Sequence, residues 1–469
     1  MSNTPELPPE PKTDPVWPAD QGPDRDRSKG AVQTLDPRSS AGRRFLFLQG
    51  PHGPFFYQLS TMLRRAGAQT WRVGFNAGDR VFWPDRASYI AYRQTPDRWA
   101  DHIAEVIAER QITDLVLYGD TRAIHADAVR AAKAAHLRVH VFEEGYLRPY
   151  WATYERDGSN GHSRLMDMDV ADMVASLADS DREAAPPPSH WGDTRQHIFY
   201  GALYHGCVML LNRGYPAFRP HRGISVTREF QLYLRRLVLM PLQALERRWA
   251  TRRVRNGGFP YHLLLLQLEH DSAFQAHSPF STNADFMEEV CRGFAKGAPQ
   301  HHHLVVKAHP LEDGRSPVRQ QLRDLACRYG IADRLHYVRG GKLARLLDDA
   351  VSAVTVNSTA GQQALWRGIP LKIFGKAVYG KPQFVSDQAL TAFFANPKAP
   401  DLGAYRDYRR YLLETSQLPG GFYSRKGRKQ LLRQVVDRML AVEDPYAAHP
   451  HTAQPGTTAA APQQLQVVN

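Results

Sequence analysis

What most constrains this chain is an alternation of short apolar runs and helical spacings that occurs twice. In the first stretch Arg44–Leu48, Thr70–Phe75, Asp114–Tyr118 and Leu137–Phe142 read as strands. Between them Asp97–Arg110, with Trp99, Ile103, Val106 and Ile107 on one face, and Ile124–Ala135 read as helices. In the second stretch Tyr261–Leu268, Leu304–Ala308, Leu335–Val338, Val351–Val356 and Leu371–Phe374 are strands. Asn283–Phe294, Val318–Tyr329 and Ala360–Arg367 are the intervening helices. Near-continuous apolar strands joined by helices imply parallel sheets covered on both faces. The expected architecture is α/β: two Rossmann-like parallel-sheet domains facing across a cleft. Ligands in such sheets sit beyond the carboxyl ends of the strands, so the crevice between the halves is the expected site.

The 469 residues divide on this basis into five regions. Residues 1–42 carry 8 of the 33 prolines and few apolar side chains, and read as a disordered tail. Residues 43–218 form the N-terminal Rossmann-like domain, 219–258 a basic helical linker, and 259–444 the C-terminal Rossmann-like domain. Residues 445–469, polar and Ala-rich at the end, read as a second tail. Three scattered cysteines, Cys207, Cys291 and Cys327, exclude a disulfide scaffold and read as buried fillers. No apolar run reaches the ~18 residues of a bilayer span, and no secretory signal opens the chain, so a cytoplasmic protein is expected.

The net charge of +13 calls for an anionic partner. Arg219–Arg255 alone holds ten arginines against Glu229 and Glu246, interleaved with Leu, Val, Phe and Trp. Such a segment either lies on an anionic membrane surface or is an interdomain helix with a solvated face, and Pro241 is expected to interrupt it. Nucleic acid is not an expected partner, because no recognised module accompanies the charge.

Five motifs carry candidate chemistry, each at a strand end. Glu143 and Glu144, followed by Gly145 and Arg148, follow the strand ending at Phe142. Paired acids in a partly dry crevice push their pKa values apart, so one can act as base or nucleophile; a solvated acidic turn is the other reading. Lys307 and His309, in Lys307-Ala308-His309-Pro310, suit a phosphate oxygen. The preceding His301-His302-His303 lacks ligands at zinc spacing and reads as a solvated strand start, so no metal is expected. Asn357-Ser358-Thr359-Ala360-Gly361 reads as a turn into a helix N-terminus, serving an anion or plain N-capping. Gln49, Gly50 and Pro51 open another strand-to-helix turn, without the GK[ST] of a P-loop. Gln267 and Asp271 either hydrogen-bond a sugar or base, or cap the next helix.

Together these motifs resemble the capsule polysaccharide biosynthesis/export family of the KpsS/LipB type. The resemblance rests on Glu143–Pro149, Tyr154–Gly161, Gln267-Leu268 with Asp271, Ser278-Pro279-Phe280, Lys307–Pro310, Asn357–Gly361 and Gln49-Gly50-Pro51, and spans about residues 43–385. It implies a GT-B-like glycosyltransferase that adds Kdo from CMP-Kdo to a phosphatidylglycerol lipid. The product would start the β-Kdo linker of a capsular polysaccharide. It further implies no cofactor and a cytoplasmic enzyme peripheral on the inner membrane, working beside the linker-extending transferase and the export machinery. On that resemblance His309 contacts the CMP phosphate, Lys307, Ser358 and Thr359 support it, and Glu143 or Glu144 is the catalytic carboxylate. A non-catalytic lipid- or glycan-binding export adaptor, and a transferase for another CMP- or CDP-activated donor, are the competing readings.

Overall fold

A computed structural model describes residues 42–177, 192–219, 226–312, 314–444 and 446. Two sheets organise them. The first contains β1 (Arg44–Phe47), β2 (Gln69–Gly74), β3 (Tyr89–Ala91), β4 (Asp114–Tyr118), β5 (Arg138–Glu144), β6 (Trp151–Arg156) and, from the far end of the chain, β12 (Gln417–Pro419). Its order is β12-β6-β5-β4-β1-β2-β3. The second contains β7 (Tyr261–Leu265), β8 (His303–Lys307), β9 (Leu335–Val338), β10 (Ala350–Thr355) and β11 (Leu371–Ile373), ordered β11-β10-β7-β8-β9. All pairings in the second sheet are parallel. In the first, only β5–β6 and β6–β12 are antiparallel.

Composition explains these elements locally. Leu115, Val116 and Leu117 in β4 and Leu263, Leu264 and Leu265 in β7 are buried, as strands covered on both faces require. The helix Trp99–Glu109 buries Trp99, Ile103, Val106 and Ile107, the face expected from their spacing. A capping box starts the helix Asn283–Gly297: the Thr282 hydroxyl accepts from the Asp285 N–H, and the Asp285 carboxylate accepts from the Thr282 N–H.

Four differences from the sequence reading have clear causes. Strand β5 continues through both glutamates, because β6 returns antiparallel and pairs Glu143 with Thr153 and Glu144 with Ala152. The end of the chain does not stay with the second sheet. β12 joins the first, and the helix Arg425–Leu440 buries Leu431, Val435 and Met439 against Phe45, Phe47, Phe55 and Phe142. Of the two tails, all but Gly42 and Tyr446 fall outside the described residues. Tyr446 is buried and donates to Glu155 at 2.7 Å, so the packed fold reaches past 444. Pro241 does not interrupt the basic segment: one helix, Val226–Arg255, contains it, since a proline removes a single backbone donor. Cys207 and Cys291 are buried as expected, whereas Cys327, near the end of the helix Val318–Arg328, is exposed.

Candidate active site

Both sheets change winding direction at their first strand, so each has a switch point where loops diverge and leave a crevice. In the first sheet the gap lies between β1 and β4. There Gln49 donates to Asp79 at 3.0 Å and to the Tyr204 hydroxyl at 3.3 Å, and His52 stacks on Tyr204. Gly50 sits where a Cβ would strike the Phe56 ring, and Pro51 is buried. Gln49 and His52 brace the turn against Tyr204 of the helix Thr194–Leu211, and Gln49, Gly50 and Pro51 do not line the cleft between the halves.

In the second sheet the gap lies between β7 and β10. Gln267 and Asn357 close it reciprocally: the Gln267 amide donates to Asn357 Oδ1 at 2.7 Å, and the Asn357 N–H donates to Gln267 Oε1 at 3.0 Å. Asn357 Nδ2 also donates to the Ala273 carbonyl. Gln267 is thereby a positioning group. Asp271 caps the short helix Ser272–His277, which settles one of its two sequence readings.

The expected Ser/Thr N-cap at 358–359 is not formed. The helix Gly361–Leu365 is only five residues and lacks a side-chain cap. Instead the Ser358 hydroxyl accepts from the Ala360 N–H, which makes a local turn, and the Ser358 carbonyl accepts from Tyr379. Gly361 is required by close packing, since a Cβ there would meet Tyr379 and Leu371.

A small cleft lies between the halves. Tyr146 and Asn160 from the first half and Ala273, Asn357, Thr359 and Lys376 from the second line it. Three links hold its walls together. Gln362 donates to the Tyr146 carbonyl at 2.9 Å, Lys381 donates to the carbonyls of Leu165, Met166 and Met168, and the His162 and His277 rings meet edge to face.

The paired glutamates split in environment. Glu143 accepts from the Glu144 N–H at 3.0 Å. Burial pushes its carboxyl up to about 7; the Glu144 N–H and Arg148 oppose the shift, while Asp271 from the second half and Glu144 add to it. Glu144 instead accepts from the Tyr118 hydroxyl at 3.2 Å. Burial first, then Glu144, drives the Tyr118 and Tyr423 hydroxyls well above their ordinary range. Both carboxylates thus lie near Tyr118 and Tyr423; Glu144 bonds Tyr118, while the charge of Asp271 from the second half bears on Glu143. The turn after them is fixed by Gly145, where a Cβ would overlap the Trp151 carbonyl, and by Gln417 of β12, which accepts from the Tyr146 N–H at 2.8 Å. Arg148 is exposed, and its Nε donates to the Gly145 carbonyl.

Lys307 is buried at the end of β8, with a 3.5 Å contact to the Ala308 carbonyl. Burial, then the nearby Arg247, pulls its ammonium down to about 8. The His309 ring is half-buried, and its Nδ1 accepts from the Leu311 N–H. Of the triplet that leads into β8, His301 is exposed, but His302 and His303 are packed rather than left to solvent. His302 bonds His262 at 2.9 Å, His303 bonds His336 at 2.8 Å, and Phe259 stacks on His303 and His336. Among the described residues no group of three or more His, Cys, Asp or Glu side chains is placed to hold a metal ion.

Sequence reasoning quoted Tyr154–Gly161 as a motif but did not single out the acids at and beneath it. Buried Asp120 accepts from the Ser159 N–H at 2.9 Å and bonds His162 at 3.1 Å. Buried Glu155, its carboxyl raised to about 7 mainly by burial, accepts from Tyr146 and Ser163. The signal was present, since Asp120 follows β4 as Glu143 and Glu144 close β5, but no second acid marked it.

The capsule polysaccharide biosynthesis protein family matches residues 113–423, from β4 to the loop beyond β12. The chain belongs to that family. A capsule polysaccharide export protein, KpsS of Escherichia coli, is 31% identical over 82% of this chain and 97% of its own length. A capsule polysaccharide modification protein, LipB of Neisseria meningitidis serogroup B, is 29% identical over 82% of this chain and 92% of its own length. Among solved structures, the Thermosulfurimonas dismutans KpsC β-Kdo 2,7 transferase aligns over 84% of this chain and 99% of its own, at 10% identity and a TM-score of 0.38.

Proposed function

We propose that this capsule-family protein is a glycosyltransferase that moves Kdo from CMP-Kdo to a phosphatidylglycerol lipid, starting the β-Kdo linker of a capsular polysaccharide. The observation that supports the reading is a carboxyl raised to about 7 by burial at a strand end of one half, together with a buried lysine and a half-buried histidine at a strand end of the other. Transfer from a sugar–phosphate donor needs these two things: a group that takes a proton from the acceptor hydroxyl, and positive charge where the phosphate leaves. Glu143 is the proton acceptor in this reading. Lys307 and His309 meet the leaving phosphate, and Thr359 and Lys376 border the sugar. Gln267, Asn357 and Gln417 hold the loops.

The lipid acceptor is supported by the helix Val226–Arg255. Val238, Leu242, Leu245 and Trp249 follow a spacing of four, three and four residues, and each is about two-thirds exposed. Exposed Arg235, Arg248 and Arg252 flank this stripe. An apolar stripe edged by arginines suits an anionic bilayer surface, with Trp249 at headgroup depth. Among the described residues no helix is long and apolar enough to cross a membrane, so contact with lipid would be peripheral.

The test is mass spectrometry of purified protein with freshly generated CMP-Kdo and short-chain phosphatidylglycerol. A lipid heavier by one Kdo unit is expected. Several added units would assign the extending role. Turnover of a different CMP- or CDP-activated donor would replace Kdo as the sugar. Glycolipid binding without turnover of any donor would leave an export adaptor.

A further inference from the structure

The helix Val226–Arg255 has a second face. At about 100° per residue, Arg247 points away from the stripe formed by Leu245 and Trp249. It lies against the turn Gly340-Gly341, where a Cβ on Gly341 would meet Arg247 Cδ at 2.9 Å. A Cβ on Gly340 would stand 3.3 Å from Pro310 Cα and 3.9 Å from Arg247 Nη1. Both glycines have positive φ, +67° and +87°, so the turn can leave this space only because neither carries a side chain. Arg247 therefore reaches the loop that carries His309, beside buried Lys307.

Two cations brought together on a folded surface repel one another, and a carboxylate normally offsets the cost. Among the described residues neither Lys307 nor Arg247 has an ion pair with an acid. The glutamate next to Arg247, Glu246, is paired with Arg319 instead. Like-charge crowding with no acid to relieve it marks a place built to receive an anion.

We infer that Arg247, Lys307 and the Gly340-Gly341 turn form one phosphate-binding site, in which the interdomain helix supplies a cation to the C-terminal half. This deepens the transferase reading and rests on it for the identity of the anion, the phosphate of the nucleotide donor. Arg247 is a binding residue for that phosphate. Its guanidinium can grip two oxygens where the lysine offers a point charge.

Titration calorimetry of the full chain with CMP, UMP, cytidine and inorganic phosphate tests the inference. Arg247→Ala is expected to weaken CMP by about tenfold or more while leaving cytidine unchanged, since a charge-assisted bond to phosphate is lost and no base contact is. Arg247→Lys should recover part of the loss, and Arg323→Gln, exposed on the helix Val318–Arg328, should change nothing. Equal losses for CMP and cytidine would make Arg247 structural and overturn the inference, as would unchanged CMP binding by Arg247→Ala. UMP or inorganic phosphate binding that depends on Arg247, with no preference for CMP, would keep the anion site and overturn the cytidine donor. Sedimentation with phosphatidylglycerol vesicles separates the other source of phosphate. Loss of vesicle binding in Arg247→Ala with intact CMP binding would assign the site to a lipid headgroup and overturn the donor assignment. A wild-type chain that binds none of these phosphates would overturn the site altogether.

Discussion

The two sheets share a winding and differ in what they place at their strand ends. The first ends β4 and β5 in acids, Asp120 and Glu143, and then buries a third, Glu155, beneath the same loops. The second ends β8 in a buried lysine and continues into histidine, with an arginine brought from outside its own sheet. Burial acts on both in opposite senses: it lifts the Glu143 carboxyl to about 7 and lowers the Lys307 ammonium to about 8. In the proposed reading the first site takes a proton and the second holds negative charge. The two sheets thus differ in charge type at their strand ends.

The sharpest way to break this comparison is Glu143→Gln. Transfer should fall by about 10²–10⁴, the usual worth of a positioned base, with CMP affinity nearly unchanged. The same substitution at Glu144 should cost far less, because that carboxylate faces Tyr118. A larger loss from Glu144→Gln in initial-rate measurements would reverse the assignment.

The mirror-image change is Lys307→Met, which keeps the buried volume and removes the charge. CMP binding should weaken by about tenfold or more in calorimetry, and the unfolding temperature should hold or rise, since an unpaired buried cation costs stability. A large drop in unfolding temperature would assign Lys307 to the fold.

The smallest expected effect is on pH dependence. A base must be ionised, so activity should rise with pH through about 7. Arg148 favours the ionised form of Glu143 and Asp271 disfavours it, with Glu144 adding to the latter. Arg148→Ala should therefore move the acid limb to higher pH, and Asp271→Asn should move it lower. Each displacement should be a fraction of a unit, because Arg148 and Asp271 are exposed to solvent screening. Parallel displacement by both variants, measured as log kcat/KM against pH, would remove Glu143 as the titrating group.

The sequence alone determined the periodicities and the composition of the strand ends. A strand buried like Asp114–Tyr118 must be largely apolar, and its extent, like that of the edge strand Leu335–Val338, was legible to the residue. The acids, the Lys-x-His-Pro run and the Asn-Ser-Thr turn were legible as chemistry because each follows a strand. Only tertiary structure decided which groups meet. Strand β12 carries Gln417 to the glutamate turn from about 270 residues away, a partnership that no local pattern encodes. Packing also joined Gln267 and Asn357 in a mutual clamp, and gave His302 and His303 partners on β7 and β9. Arg247 was one of ten arginines in its segment until the helix seated it against two glycines. Local patterning fixes which faces must be buried; the burial of a charge, and the company it keeps there, depends on which distant segments cover it.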